Sequence, residues 1–184
     1  MKPSVNIHIG DFYSSRTPVI ITTILGPCAA VCLFDPVNKI GGMNHILLPG
    51  DCPVGVNTGD SRYGINAMEL LINQMMKLGA NRNKLTAKVF GGASIISSIS
   101  SEFCMGMRNI EFVVDFLLVE KIPIINYNFG GVDSRRIYYH TDTSDVLLQR
   151  IKSKEVINEF AHIKERRNDV EKRIKKSSPV VYFD

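Results

Sequence analysis

The chain has 184 residues, a formal net charge of +4 and a hydrophobic fraction of 45%. That length suits one domain with one core, and no apolar run approaches the roughly 20 residues that a bilayer-spanning helix needs. The basicity is confined to one stretch: residues 150–176 hold ten Lys or Arg against five Asp or Glu, which leaves 12 basic and 13 acidic residues elsewhere. Within that stretch, interspersed glutamates and the lack of an aromatic stacking set argue against nucleic-acid binding.

Taken in order, residues 5–10 read as a first strand with Val5, Ile7 and Ile9 on one face and Asn6 and His8 on the other. A second strand, 19–25, is rich in β-branched residues and is broken by Gly26-Pro27 directly before Cys28. The apolar run 29–34 ends in Asp35-Pro36 and leads through Asn38 and Gly41-Gly42 into 43–48, which predicts two antiparallel strands joined by a short loop. If they pair, Cys28 and His45 come to the same end of the hairpin, one on each strand. That is the arrangement a Cys-His nucleophile and base require. The segment 50–61 has the composition of an exposed loop and follows His45 closely enough to form a wall beside the thiol.

Asp60 or Ser61 can cap a helix from about Arg62, with Ile65, Met68, Ile72 and Met75 recurring at three and four, Leu71 and Met76 widening the stripe, and Gly79 as the stop. Residues 85–90 alternate as a strand and run into Gly91-Gly92, a pair that suits either a tight bend or a close approach to the main chain. Residues 95–101 show no period and are assigned to a loop. Asn109 is expected to cap a second helix, 110–121, and strands are expected at 122–126, 136–140 and 146–151, with His140 structural. Residues 153–176 then predict a charged helix with a thin apolar stripe. The fold class expected is α/β: a layered α/β/β sandwich of mainly antiparallel or mixed strands with two principal helices, plus the C-terminal helix.

The N-terminal residues lack the apolar core of a signal peptide, so a cytoplasmic location is expected, with Cys28, Cys32, Cys52 and Cys104 as free thiols. Cys28, Cys32, His45 and Cys52 could in principle hold zinc, but residues four apart on a strand lie about 13 Å from each other, too far to share an ion. A cysteine is most often an inert small hydrophobe. Three features set Cys28 apart: the Gly-Pro break before it, where backbone amides can form an oxyanion hole; His45 on the neighbouring strand; and Thr22 on the preceding one.

Thr22, Gly26-Pro27-Cys28 and His45 followed by Leu48-Pro49 stand in an order and spacing that resemble CheD, the chemoreceptor glutamine deamidase family. The likeness continues in Arg62-Tyr63 with Ala67-Met68-Glu69, Gly79-Ala80-Asn81-Arg82, Ala87-Lys88 with Phe90-Gly91-Gly92-Ala93, Gly106 with Asn109, and Gly130-Gly131 before Arg136, together about residues 5–148. Pro27 stands where the family usually has Ser, and Asn128 where it commonly has Asp. The resemblance implies a CheD-like domain over 1–151, a charged extension over 152–184, and Cys28, His45 and Thr22 as catalytic nucleophile, base and orienter. It further implies that receptor glutamines are converted to glutamate through a thioester, with no metal or organic cofactor required. The implied partners are the cytoplasmic helical domain of a chemoreceptor and a CheC-type phosphatase, with no nucleic acid and no membrane insertion, the protein acting as a monomer. A catalytically weak binding module working through CheC or the receptor is the alternative.

Overall fold

The computed structural model describes residues 2–48, 60–94 and 100–151, the side chains of 60–62 and 100–104 excepted. In chain order the elements are β1 (Ser4–Asn6), β2 (Phe12–Ser15), β3 (Ile20–Leu25), β4 (Ala29–Asp35), β5 (Ile40–Ile46), α1 (Asp60–Lys77), β6 (Thr86–Gly91), α2 (Ser100–Val119), β7 (Ile124–Phe129), β8 (Ser134–His140) and β9 (Val146–Ile151). They build one four-stranded sheet in the order β1-β3-β8-β9 and one five-stranded sheet in the order β2-β5-β4-β6-β7. Only β1 with β3 and β6 with β7 run parallel; the other pairs are antiparallel.

The five-stranded sheet is covered on both sides, which is why β4 reads Ala-Ala-Val-Cys-Leu-Phe without polar alternation. One face packs Val31, Leu33, Ile40 and Ile46 against Met68, Leu71, Ile72 and Met75 of α1 and Ile110, Val113 and Leu117 of α2. The other turns Ala30, Cys32 and Met43 toward Ile21 and Leu25 of β3 and Ile137 and Tyr139 of β8. The layers are therefore helices, sheet, sheet: the α/β/β sandwich that the pattern predicts. Each fully buried Leu, Ile or Met in either layer contributes roughly 1.5–3 kcal/mol.

The structure departs from expectation in four places. The first predicted strand stops at Asn6, and Phe12–Ser15 forms a separate edge strand on β5, so Ile7 is buried while Ile9 is exposed. In α1, Ile65 and Met76 are exposed, so the buried stripe is carried by Met68, Leu71, Ile72 and Met75. The third departure is the largest: α2 begins at Ser100, within the expected loop, and Asn109 lies in mid-helix and fully buried instead of at the cap. Gly106 weakens helix propensity there, but packing overrides it, since the helix backbone at Gly106 lies against the Gly92 carbonyl. The fourth is a register shift that inserts an irregularity between Ala87 and Lys88 opposite β7.

Gly79 has φ +102 and ends α1 as predicted. His140 accepts the Lys2 ammonium at 3.4 Å beside Asp142, a structural role. The described elements fall within the unit Met1–Ile151. The expected loop at 50–59, the caps at Asp60 and Ser61, the run 95–99, the side chains of Cys52 and Cys104 and the C-terminal helix of 153–176 lie outside the described residues.

Candidate active site

The β4–β5 ladder pairs Ala29 with Ile46 and Ala30 with His45. Cys28 lies just before β4 and two residues from Ala30, so Cys28 and His45 are diagonal neighbours on one face, the face turned toward the second sheet. Diagonal neighbours on antiparallel strands stand about 7–8 Å apart between Cα atoms, close enough for a long side chain to bridge. The hairpin therefore brings together the two groups that the sequence separates by seventeen positions. Both are nearly enclosed, Cys28 at 6% and His45 at 4% exposure.

The main chain around Cys28 is pinned at three consecutive carbonyls. Gly26 O accepts from Ala93 N at 2.8 Å, Pro27 O from Asn109 Nδ2 at 3.0 Å, and Cys28 O from Gly92 N at 2.8 Å. Gly91 pairs with Ala29 at φ +117, and a Cβ there would overlap the Cys28 carbonyl oxygen. The glycine pair thus serves a close approach to main chain, and the chain approached is the backbone of Cys28.

His45 is held by the neighbouring sheet. Thr23 Oγ1 lies 2.8 Å from His45 Nδ1 and donates to Ile7 O at 2.8 Å. A hydroxyl has one proton, and it is given to the Ile7 carbonyl, so the oxygen must accept from the imidazole. That fixes the tautomer by network logic: Nδ1 carries the hydrogen and Nε2 the lone pair. Nε2 is buried and has no hydrogen-bond partner among the described residues, so the one basic nitrogen is left uncommitted.

The hydroxyl on His45 Nδ1 belongs to Thr23, the residue after the Thr22 expected as orienter. Strand side chains alternate, and in β3 it is Ile21, Thr23 and Leu25 that face the five-stranded sheet, while Thr22 turns outward and donates to Asn6 Oδ1 at 3.1 Å. No local signal separates the two: the alternating sets of β3, Ile20/Thr22/Ile24 and Ile21/Thr23/Leu25, each hold one Thr and two aliphatic residues of equal size.

The electrostatics favour a neutral resting pair. Burial pushes the Cys28 thiol up to about 12, against a smaller lowering by its own backbone N–H. Burial also pushes the His45 imidazole down to about 4, with nearby His8 acting in the same direction and Asp11 opposing it. His8 and Asp11 are close because the turn between β1 and β2 lies along β5: Gly10 N donates to His45 O at 2.8 Å, and His45 N donates to Asp11 O at 3.0 Å. At neutral pH the pair is thiol and imidazole, not thiolate and imidazolium. Cys32, four residues on from Cys28, is fully enclosed beside Met43 and is raised further by the same burial. No cluster of three or more His, Cys, Asp or Glu suited to a metal ion occurs among the described residues.

A family model described as "CheD chemotactic sensory transduction" matches residues 47–150. The span begins two residues past His45 and so contains none of Thr23, Cys28 and His45. The chain is 46% identical over 154 residues to a Shewanella oneidensis protein named "Probable chemoreceptor glutamine deamidase CheD 1", covering 83% of this chain and 74% of that one. It is 40% identical over 150 residues to a CheD 2 of the same description from Chromobacterium violaceum, covering 81% and 74%. With a Thiobacillus denitrificans relative so described it shares 39% over 168 residues, 90% of this chain and 81% of the other. A family match over more than half the chain, joined to relatives that align across most of both partners, leads to one conclusion: the chain belongs to the CheD family.

Proposed function

We propose that this protein is a chemoreceptor glutamine deamidase in which Cys28 is the nucleophile, His45 the base and Thr23 the group that orients the base. The reading is supported by the names of the relatives, and the single observation that carries the mechanism is the uncommitted His45 Nε2 beside a constrained cysteine. With the thiol near 12 and the imidazole near 4, His45 acts as a general base in the transition state and does not hold a preformed thiolate. No hydrogen bond yet joins Nε2 to the thiol, and catalytic hydrogen bonds commonly tighten only when substrate binds.

As the Cys28 sulfur attacks the carboxamide carbon, its proton passes to Nε2. Collapse breaks the C–N bond, and the imidazolium gives that proton to the departing ammonia. Water, deprotonated by the same nitrogen, then cleaves the thioester to glutamate and the free thiol. Thr23 is a neutral partner, so it fixes the ring's tautomer and direction more than it stabilises the imidazolium. The substrate would be a glutamine side chain on the cytoplasmic helical part of a chemoreceptor, with a CheC-type phosphatase as a further partner and the cytoplasm as the location. Among the described residues no helix is long and apolar enough to cross a membrane.

The test is ammonia release and a one-dalton mass gain on a receptor fragment treated with the parent protein and with Cys28→Ala. Conversion by the parent alone supports the deamidase; equal conversion by both overturns it. One observation favours a second reading, a binding module of weak activity: the thiol is buried, unionised and unbonded to its base in the resting state. That reading expects tight binding of a receptor fragment or a CheC-type protein with no conversion by either form.

A further inference from the structure

We propose that Asn109 is a positioning residue for deamidation, holding the Pro27–Cys28 peptide so that the Cys28 N–H faces the oxygen of the reacting amide. The inference rests on the reading of Cys28 as nucleophile. Asn109 is a fully buried polar side chain in the middle of α2, where an apolar residue would fill the space without desolvation cost. Both ends of its carboxamide are used: Oδ1 accepts from Leu48 N at 2.8 Å, while Nδ2 donates across elements to Pro27 O at 3.0 Å and within α2 to Met105 O at 2.9 Å. One side chain thus ties the chain just before Cys28 to the chain three residues after His45.

The bond to Pro27 O has a directional consequence. The peptide bonds are trans, and in a trans peptide the C=O and the following N–H point in opposite directions. Drawing the Pro27 oxygen toward α2, which lies on the helical side of the sheet, turns the Cys28 N–H to the other side. That is the side where the Cys28 side chain packs. Pro27 has no N–H to offer, so the turn's donor next to the sulfur is the nucleophile's own amide. A second contact secures the same helix position: the Gly106 backbone lies against Gly92 O, and Gly92 N holds Cys28 O at 2.8 Å. When the sulfur–carbon bond forms, the carbonyl π pair moves onto oxygen, and an N–H already aimed there stabilises that charge only while it exists.

The experiment compares Asn109→Asp, which keeps the shape and the acceptor for Leu48 N but loses the amide donors, with Asn109→Ala, each checked for folding by thermal melting. Three readouts are taken: kcat and KM for deamidation of a receptor fragment, affinity for a peptide aldehyde built on glutamine, and the rate of Cys28 alkylation by iodoacetamide. The aldehyde forms a thiohemiacetal whose oxygen occupies the oxyanion position, whereas alkylation develops no oxyanion. The expected result is a kcat lower by roughly 10–100-fold at unchanged KM, a parallel loss of aldehyde affinity, and alkylation at the parent rate. Unchanged kcat in the folded Asp variant would overturn the proposal, and so would alkylation that falls in step with kcat, which marks a general displacement of the thiol. Retained deamidation by Cys28→Ala removes the functional reading itself, a result independent of the Asn109 variants.

Discussion

The five-stranded sheet has two buried faces made by alternate residues of the same strands, and they serve different ends. Toward the helices it presents Val31, Leu33, Ile40 and Ile46, met by the methionines, leucines and isoleucines of α1 and α2. Toward the second sheet it presents Cys28, Ala30, Cys32, His45 and Met43, met by Thr23, Tyr139 and the apolar residues of β3 and β8. The first face supplies hydrophobic burial. The second encloses an uncharged imidazole and thiol whose burial shifts their titration. Because successive residues of a strand face opposite ways, one sheet carries an apolar scaffold on one side and the Cys28–His45 pair on the other.

Breaking one face should leave the other working. The largest effect is expected on the chemical face: Cys28→Ala should remove deamidation, a loss of roughly 10⁴-fold or more, with little change in melting temperature. His45→Ala should follow at roughly 10²–10⁴-fold in kcat, the usual contribution of a positioned base. On the helical face the pattern inverts: Leu71→Ala, fully buried in the parent, should lower unfolding free energy by about 2–5 kcal/mol while kcat of the folded fraction is retained, read by urea denaturation beside the activity assay.

The buried imidazole should also write itself into the pH dependence of stability. Its folded value is depressed to about 4 from 6.5, so between those values the unfolded chain binds a proton that the folded chain refuses. Stability is therefore full above about pH 6.5 and falls as pH drops toward 4, by at most about 3 kcal/mol. Urea midpoints should show that slope in the parent and lose it in His45→Ala; an identical slope in both would place the acid sensitivity elsewhere. The smallest effect separates two adjacent threonines. Thr23→Val should lower kcat by roughly tenfold through loss of the ring's hydrogen-bond partner, and Thr22→Val should leave it near the parent value.

Much of this architecture was legible in local pattern. The β4–β5 hairpin followed from two apolar runs around Asp35-Pro36 and Gly41-Gly42, and with it the shared end of Cys28 and His45. α1 was legible from its three-and-four repeat and its Gly79 stop, because helix period and C-cap are short-range properties. The start of α2 was not, because a glycine and a run without period hide a helix that packing against Gly92 makes favourable. Family likeness implied Thr22 as the orienter, whereas the hydroxyl that meets His45 is that of the next residue, Thr23.

What the amino-acid order determined alone was the set of elements with strong local periodicity, the hairpin that joins thiol and imidazole, and the family. The identity of the hydroxyl on His45 was decided only when β3 settled between β1 and β8 and its inner face met β5. The hydrogen bonds of Asn109 to Leu48 and Pro27 were decided only when α2 lay across the ends of two strands distant from it in sequence. Both depend on contacts between sheets and layers, and a side chain's choice of face is set by the partner it meets there, which no window of neighbouring residues contains.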